Sequence, residues 1–151
     1  MKNLIKTFFL IFIFFFSISG NNYIYADQEN VIGFGVQSEI PQGIRFNIEL
    51  NNYENIQDIQ VKFKIDGRKS FQYEYLKLPK GNESIDHFFS TLQSSRYMPP
   101  GSKIEYYFEI FNKDGSSFRT EKQYDVLLDS RFNWDIVQGE IVDVYYHGPV
   151  S

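Results

Sequence analysis

Three stretches of this chain alternate apolar and polar residues with a strict period of two. That period suits an extended strand that turns one face to a core and the other to water. In Ile44, Phe46, Ile48 and Leu50 the apolar set is interleaved with Arg45, Asn47 and Glu49. In Ile59, Val61, Phe63 and Ile65 the intervening residues are Gln60, Lys62 and Lys64; in Ile104, Tyr106, Phe108 and Ile110 they are Glu105, Tyr107 and Glu109. Turn-forming residues separate the runs at 41–43, 51–55, 66–67, 80–82, 99–101 and 114–115. Asp66-Gly67 and Asp114-Gly115 suit hairpins that need a positive φ, so the strands ending near Ile65 and Phe111 are expected to fold back on themselves.

The pattern predicts strands near 31–37, 43–51, 57–65, 70–78, 85–92, 102–112 and 117–128. Their number and spacing are those of an all-β protein, an antiparallel immunoglobulin-like or fibronectin-type β-sandwich. The fifth has a competing reading, because Ile85, Phe88, Phe89 and Leu92 also fit helical spacing after a capping Ser84. In the fourth the alternation slips at Tyr75 and Leu76, which predicts a bulge. An extra strand is expected at 141–146.

The first residues have the layout of a secretory signal peptide: Lys2 and Lys6, an unbroken apolar run over 8–16, and a small-residue, polar exit over 17–26. The apolar run is under half of the ~20 residues that a membrane-spanning helix needs; an uncleaved amino-terminal anchor is the alternative. Cleavage after Ala26 suits the small-residue requirement, and cleavage after Gly20 is also open. The expected organisation is a leader over 1–26, a β-sandwich over 27–130 and a separate segment over 131–151. The expected location is outside the cytoplasm, with no stable membrane insertion once the leader is gone.

About 125 of the 151 residues would then remain, enough for one domain with a core of its own. The formal net charge would move from −4 to −6, because the leader takes two of the 15 basic residues and no acidic one. A modestly acidic surface argues against nucleic acid or anionic lipid as a partner. With no cysteine in the chain, an exported domain of this kind must be held by its apolar core, not by disulfides, and attachment through a lipidated cysteine is excluded.

From Tyr97 onward, a series of residues carries a family resemblance: Pro99-Pro100-Gly101, Glu105-Tyr106-Tyr107-Phe108, Asp114-Gly115, Thr120, Asp129, Arg131-Phe132, Trp134, and Val142 through Tyr146. It resembles the amino-terminal β-sandwich region of exported proteins of the peptidase MA type, in which a zinc-metallopeptidase domain follows the Phe-x-Trp segment. The resemblance implies a truncated relative of that region, with the extra strand standing where the peptidase domain would begin. It carries over no catalytic or metal residue, since the two histidines, His87 and His147, lie outside any His-Glu-x-x-His motif.

Candidate sites can be named from residue type. Phe132, Trp134, Ile136 and Val137 form an apolar cluster after the seventh strand. They either cap the sandwich or join Val142, Val144 and Tyr146 as a docking surface for a metallopeptidase-like domain or another exported protein. Tyr107 and Phe111 occupy the face opposite Ile104, Tyr106 and Phe108. They either stack on a glycan or protein ligand or pair with rings on neighbouring strands, the commoner use of such residues. His147 with Asp143 is a poor start for a metal site, and the neighbours Asp86, His87 and Ser90 have hydrolytic residue types without triad spacing. Asn82-Glu83-Ser84 is a glycosylation sequon. Neither catalysis nor a cofactor is expected, so the sequence reads as a non-catalytic interaction module; the alternative is a free-standing module that binds glycan or protein through exposed aromatics.

Overall fold

In the computed structural model, which describes residues 30–79, 81 and 84–148, each of the three alternating runs is a strand with its apolar set buried. Among these residues the strands are β1 (Val31–Glu39), β2 (Gly43–Leu50), β3 (Ile56–Ile65), β4 (Gln72–Leu76), β5 (Ile85–Ser90), β6 (Ser102–Asn112), β7 (Ser117–Arg119), β8 (Gln123–Leu127), β9 (Asp135–Val137) and β10 (Val144–Tyr146). A 3₁₀ turn, Ser94–Arg96, lies between β5 and β6.

The first sheet has the order β1-β2-β5 and the second β4-β3-β6, with β7 and β8 both on the free side of β6. All pairings within the two sheets are antiparallel. The molecule is therefore an immunoglobulin-like β-sandwich, with a three-stranded sheet facing a five-stranded one. Between the sheets, Phe46, Phe63 and Phe108 are fully buried. Phe46 and Phe63 sit 5.1 Å apart and Phe63 and Phe89 5.0 Å apart, within the range in which ring pairs add to area burial.

Two local features differ from the sequence pattern. The expected bulge in β4 is absent: Ile59 to Phe63 pair with Leu76 to Gln72 without a register shift. Tyr73 and Tyr75 sit exposed on the outer face while Leu76 is buried, so the slip reflects large rings on the wet side and not an extra residue. The seventh strand, in contrast, is broken. Tyr106 pairs with Gln123 and Glu109 with Arg119, a one-residue offset that splits 117–128 into β7 and β8. Thr120 repairs the break: its N–H donates to the Phe108 carbonyl at 3.0 Å, and its Oγ1 accepts from the Phe108 N–H at 2.9 Å.

The fifth element is a strand. Ile85 and Phe89 are buried, and Phe88 turns outward over Gly43 and beneath the Arg45 guanidinium. Helical spacing there arises because Phe88 covers the one residue of β2 that has no side chain, a known device for glycine in a sheet. On the opposite side the two sheets are tied together by a side-chain hydrogen bond and a backbone bridge. Ser38 Oγ donates to the Leu128 carbonyl, and the backbone of Ile40 forms a parallel bridge with Asp129. Burial raises the Tyr106 pKa, with the nearby Asp125 carboxylate adding to the effect.

Candidate docking hairpin and aromatic face

The chain leaves β8 through Asp129, and that residue organises the segment beyond it. It is 4% exposed. Its carboxylate accepts from the Arg131 backbone N–H at 3.0 Å, from Arg131 Nε at 2.9 Å and from Nη2 at 2.6 Å. Those bonds hold the Asp129 pKa below the ordinary aspartate value, outweighing desolvation. The Asp129 carbonyl accepts from Trp134 Nε1 at 2.8 Å. His147 then lies flat on Phe132, 4.1 Å between centroids and 12° between planes, with the edge of Trp134 4.7 Å away. Arg131 sits over the outer part of this stack, 5.6 Å from the Phe132 centroid.

These contacts anchor a small hairpin that pairs with neither sheet. Val144 faces Val137, Tyr145 faces Ile136 and Tyr146 faces Asp135. The extra strand is therefore present from Val144, shorter than expected, and its partner β9 was not legible in the sequence. Of the expected docking residues, Trp134 and Tyr146 are half-buried, while Phe132, Ile136, Val142 and Val144 are exposed, as are Val137 and Ile141. Ile141 is 95% exposed at the hairpin's turn. Trp134 is thus half-buried between Asp129 and the His147 ring, while the aliphatic side chains are exposed. Asp135, Glu140 and Asp143 are interspersed with those aliphatics along the chain.

Tyr107 and Phe111 are on the outer face of the five-stranded sheet, as the alternation requires, but they are half-buried, not exposed. Phe71 meets Tyr107 edge-on at 5.5 Å and Arg119 covers it at 5.7 Å. Two glutamates fix the cations around them. Glu109, 5% exposed, pairs with Lys62 and with Arg119; Glu105 pairs with Lys64 at 2.8 Å and Lys122 at 2.6 Å. Burial pushes the Glu109 carboxyl pKa up, but the hydrogen bonds from Lys62 and Arg119 outweigh it and leave the pKa below the usual value. The rings that do reach solvent on this face are Tyr73, Tyr75 and Tyr124. The Tyr-x-Tyr spacing in β4 was the available signal for the first two.

The remaining candidates are not brought together. Asp86 and His87 point to opposite faces of β5, and His87 Nε2 lies 3.8 Å from Glu74 of the other sheet. His147 is taken up by its ring stack. Among the described residues no three His, Asp or Glu side chains are grouped to hold a metal, and no helix is long and apolar enough to cross a membrane. Residues 1–26 and the sequon residues Asn82 and Glu83 lie outside the described residues.

The fold and the anchored hairpin define an immunoglobulin-like β-sandwich with a carboxy-terminal appendage. Comparisons with protein-family models, with curated proteins and with solved structures return no match.

Proposed function

We propose that this chain is an exported, non-catalytic accessory module that docks a protein partner through the β9–β10 hairpin. The observation that carries the reading is that the hairpin is anchored at its base and leaves its aliphatic side chains exposed. A segment that served only to cap the core would turn Ile136, Val137, Ile141, Val142 and Val144 inward, and they are exposed. Anchoring through Trp134, Arg131 and His147 means that binding need not first order the hairpin. The acidic residues Asp135, Glu140 and Asp143 favour a partner groove that is apolar at its centre and basic at its rim.

The resemblance of 97–146 to the amino-terminal region of peptidase MA-type proteins suggests the partner's class, a metallopeptidase-like domain; an immunoglobulin-like sandwich is the fold that this resemblance implied. The leader-like pattern over 1–26 supports export. The test places a photo-crosslinking residue at Ile141, and in a control at Tyr73, in the source cells. The expected result is an adduct from position 141 alone, with a protein carrying a His-Glu-x-x-His motif, lost when Val144 is replaced by Asp. The reading fails if position 141 gives no adduct beyond that of the Tyr73 control, or if V144D leaves the adduct unchanged.

A second reading rests on Tyr73, Tyr75 and Tyr124, whose exposed rings on one sheet face suit a glycan or protein ligand better than the half-covered Tyr107 and Phe111. Glycan-array binding lost in a Tyr73→Ala, Tyr75→Ala double variant would favour it over the hairpin.

A further inference from the structure

At the end of the sandwich away from the hairpin, three separate segments line an open cleft of about 750 Å³. They are Asn30 ahead of β1, the 51–55 loop between β2 and β3, and the 112–116 turn between β6 and β7. The strand registers force this meeting, because the end of β2, the start of β3 and the end of β6 lie together. The volume is in the range of small-molecule sites. Four of the residues lining it in the first two segments are asparagine, and Asn112 adds a fifth amide.

The walls are held by hydrogen bonds between the segments. Asn30 Nδ2 donates to the Asn52 carbonyl and Asn30 Oδ1 accepts from the Asn52 N–H, both at 2.9 Å. The Lys113 N–H donates to the Asn55 carbonyl at 2.8 Å, and Lys113 Nζ donates to the Glu54 carbonyl at 2.6 Å. Within the turn, Asp114 Oδ1 accepts from the Ser116 N–H and hydroxyl, and Gly115 takes the positive φ of 86° that closes it. With the backbone so fixed, the Asn55 amide and the Asn112 Oδ1 carry no hydrogen bond among the described residues.

We propose that this cleft binds a neutral sugar. The chemistry of the lining selects the class. Amide groups offer donors and acceptors side by side, which matches adjacent hydroxyls, each both donor and acceptor. An apolar ligand would meet Ile56 as its one aliphatic partner. An anion would find a single cation, Lys113, whose ammonium already donates to the Glu54 carbonyl, and would face the Asp114 carboxylate beside it. A divalent cation would find a single carboxylate where such ions take several oxygen ligands. The proposal is independent of the hairpin reading, since the two sites lie at opposite ends of the sandwich.

The test is an NMR titration of the isotope-labelled full chain with cellobiose, maltose, lactose and N,N′-diacetylchitobiose in the millimolar range. At least one sugar is expected to give saturable shifts at the Asn55 and Asn112 side-chain amides and at Ser116. Asn55→Ala, at an exposed site whose carbonyl bond is retained, is expected to weaken that binding about fivefold, the loss of one neutral hydrogen bond. A Tyr75→Ala variant should bind as the parent does. The proposal is overturned if no sugar gives saturable shifts, if the shifts fall on Tyr73, Tyr75 and Tyr124 instead, or if Asn55→Ala binds unchanged.

Discussion

The indole N–H of Trp134 donates to the main-chain carbonyl of Asp129 at 2.8 Å, so the residue that bridges to Ile40 at the sandwich edge also holds the hairpin. One buried aspartate thus joins the end of β1, the end of β8 and the segment beyond. Its side chain holds Arg131 and its backbone holds the indole.

Trp134 is the only tryptophan, which makes its fluorescence a reporter of hairpin attachment. The hairpin rests on a few hydrogen bonds and one ring stack, whereas the sandwich rests on a buried core, so the hairpin should open first. In a guanidinium titration the Trp134 fluorescence midpoint is expected below the midpoint seen by far-ultraviolet circular dichroism. Coincident midpoints would mean that hairpin and sandwich unfold as one unit.

Thr120 substitutes a side-chain oxygen for a missing ladder carbonyl. Thr120→Val keeps the shape and leaves the Phe108 N–H buried without its acceptor, which is expected to lower stability by about 1–3 kcal/mol. Thr120→Ser keeps the hydroxyl and should recover most of that loss. Chemical denaturation of the two variants decides the matter: equal stability would show that the bond contributes nothing.

At Gly43 an added Cβ would run into the Phe89 carbonyl and the Phe88 ring. Gly43→Ala is therefore expected to force β5 away from β2 and destabilise by roughly 1–3 kcal/mol. Gly33, in β1, faces open space, and Gly33→Ala should stay within about 0.5 kcal/mol of the parent. Thermal unfolding of both variants provides the comparison.

Glu109 makes the stability depend on pH in a defined direction. Its folded pKa lies below the ordinary glutamate value of 4.5, so its contribution is complete above about pH 4.5 and is lost as the pH falls through the lower folded value. Glu109→Gln should accordingly be less stable than the parent near neutral pH, because Lys62 and Arg119 lose their counter-charge. The gap should narrow as the pH drops below about 4.5. Denaturant unfolding at several pH values checks this; a gap independent of pH would show that the loss comes from packing alone.

The positions of the first six strands and of the seventh strand's span were legible because side-chain alternation is local: Ile44 to Leu50 declare their buried face without reference to any partner. The glycines of the two Asp-Gly turns were legible for the same reason, and both take a positive φ. The break at Thr120 was not, because it is defined only by the register against β6. Nor was the covering of Tyr107, which depends on Phe71 and Arg119 arriving from two other parts of the sheet.

By itself, then, the sequence determined a sandwich, because period-two segregation of apolar and polar side chains leaves two sheets with one dry interface. Tertiary structure alone decided the rest: that the residues after β8 pair with each other, that His147 is spent on a ring stack, and that Asn30 and Asn112 share a cleft. Each of these depends on which segments meet in space, and no local period encodes which ends of which strands will come together.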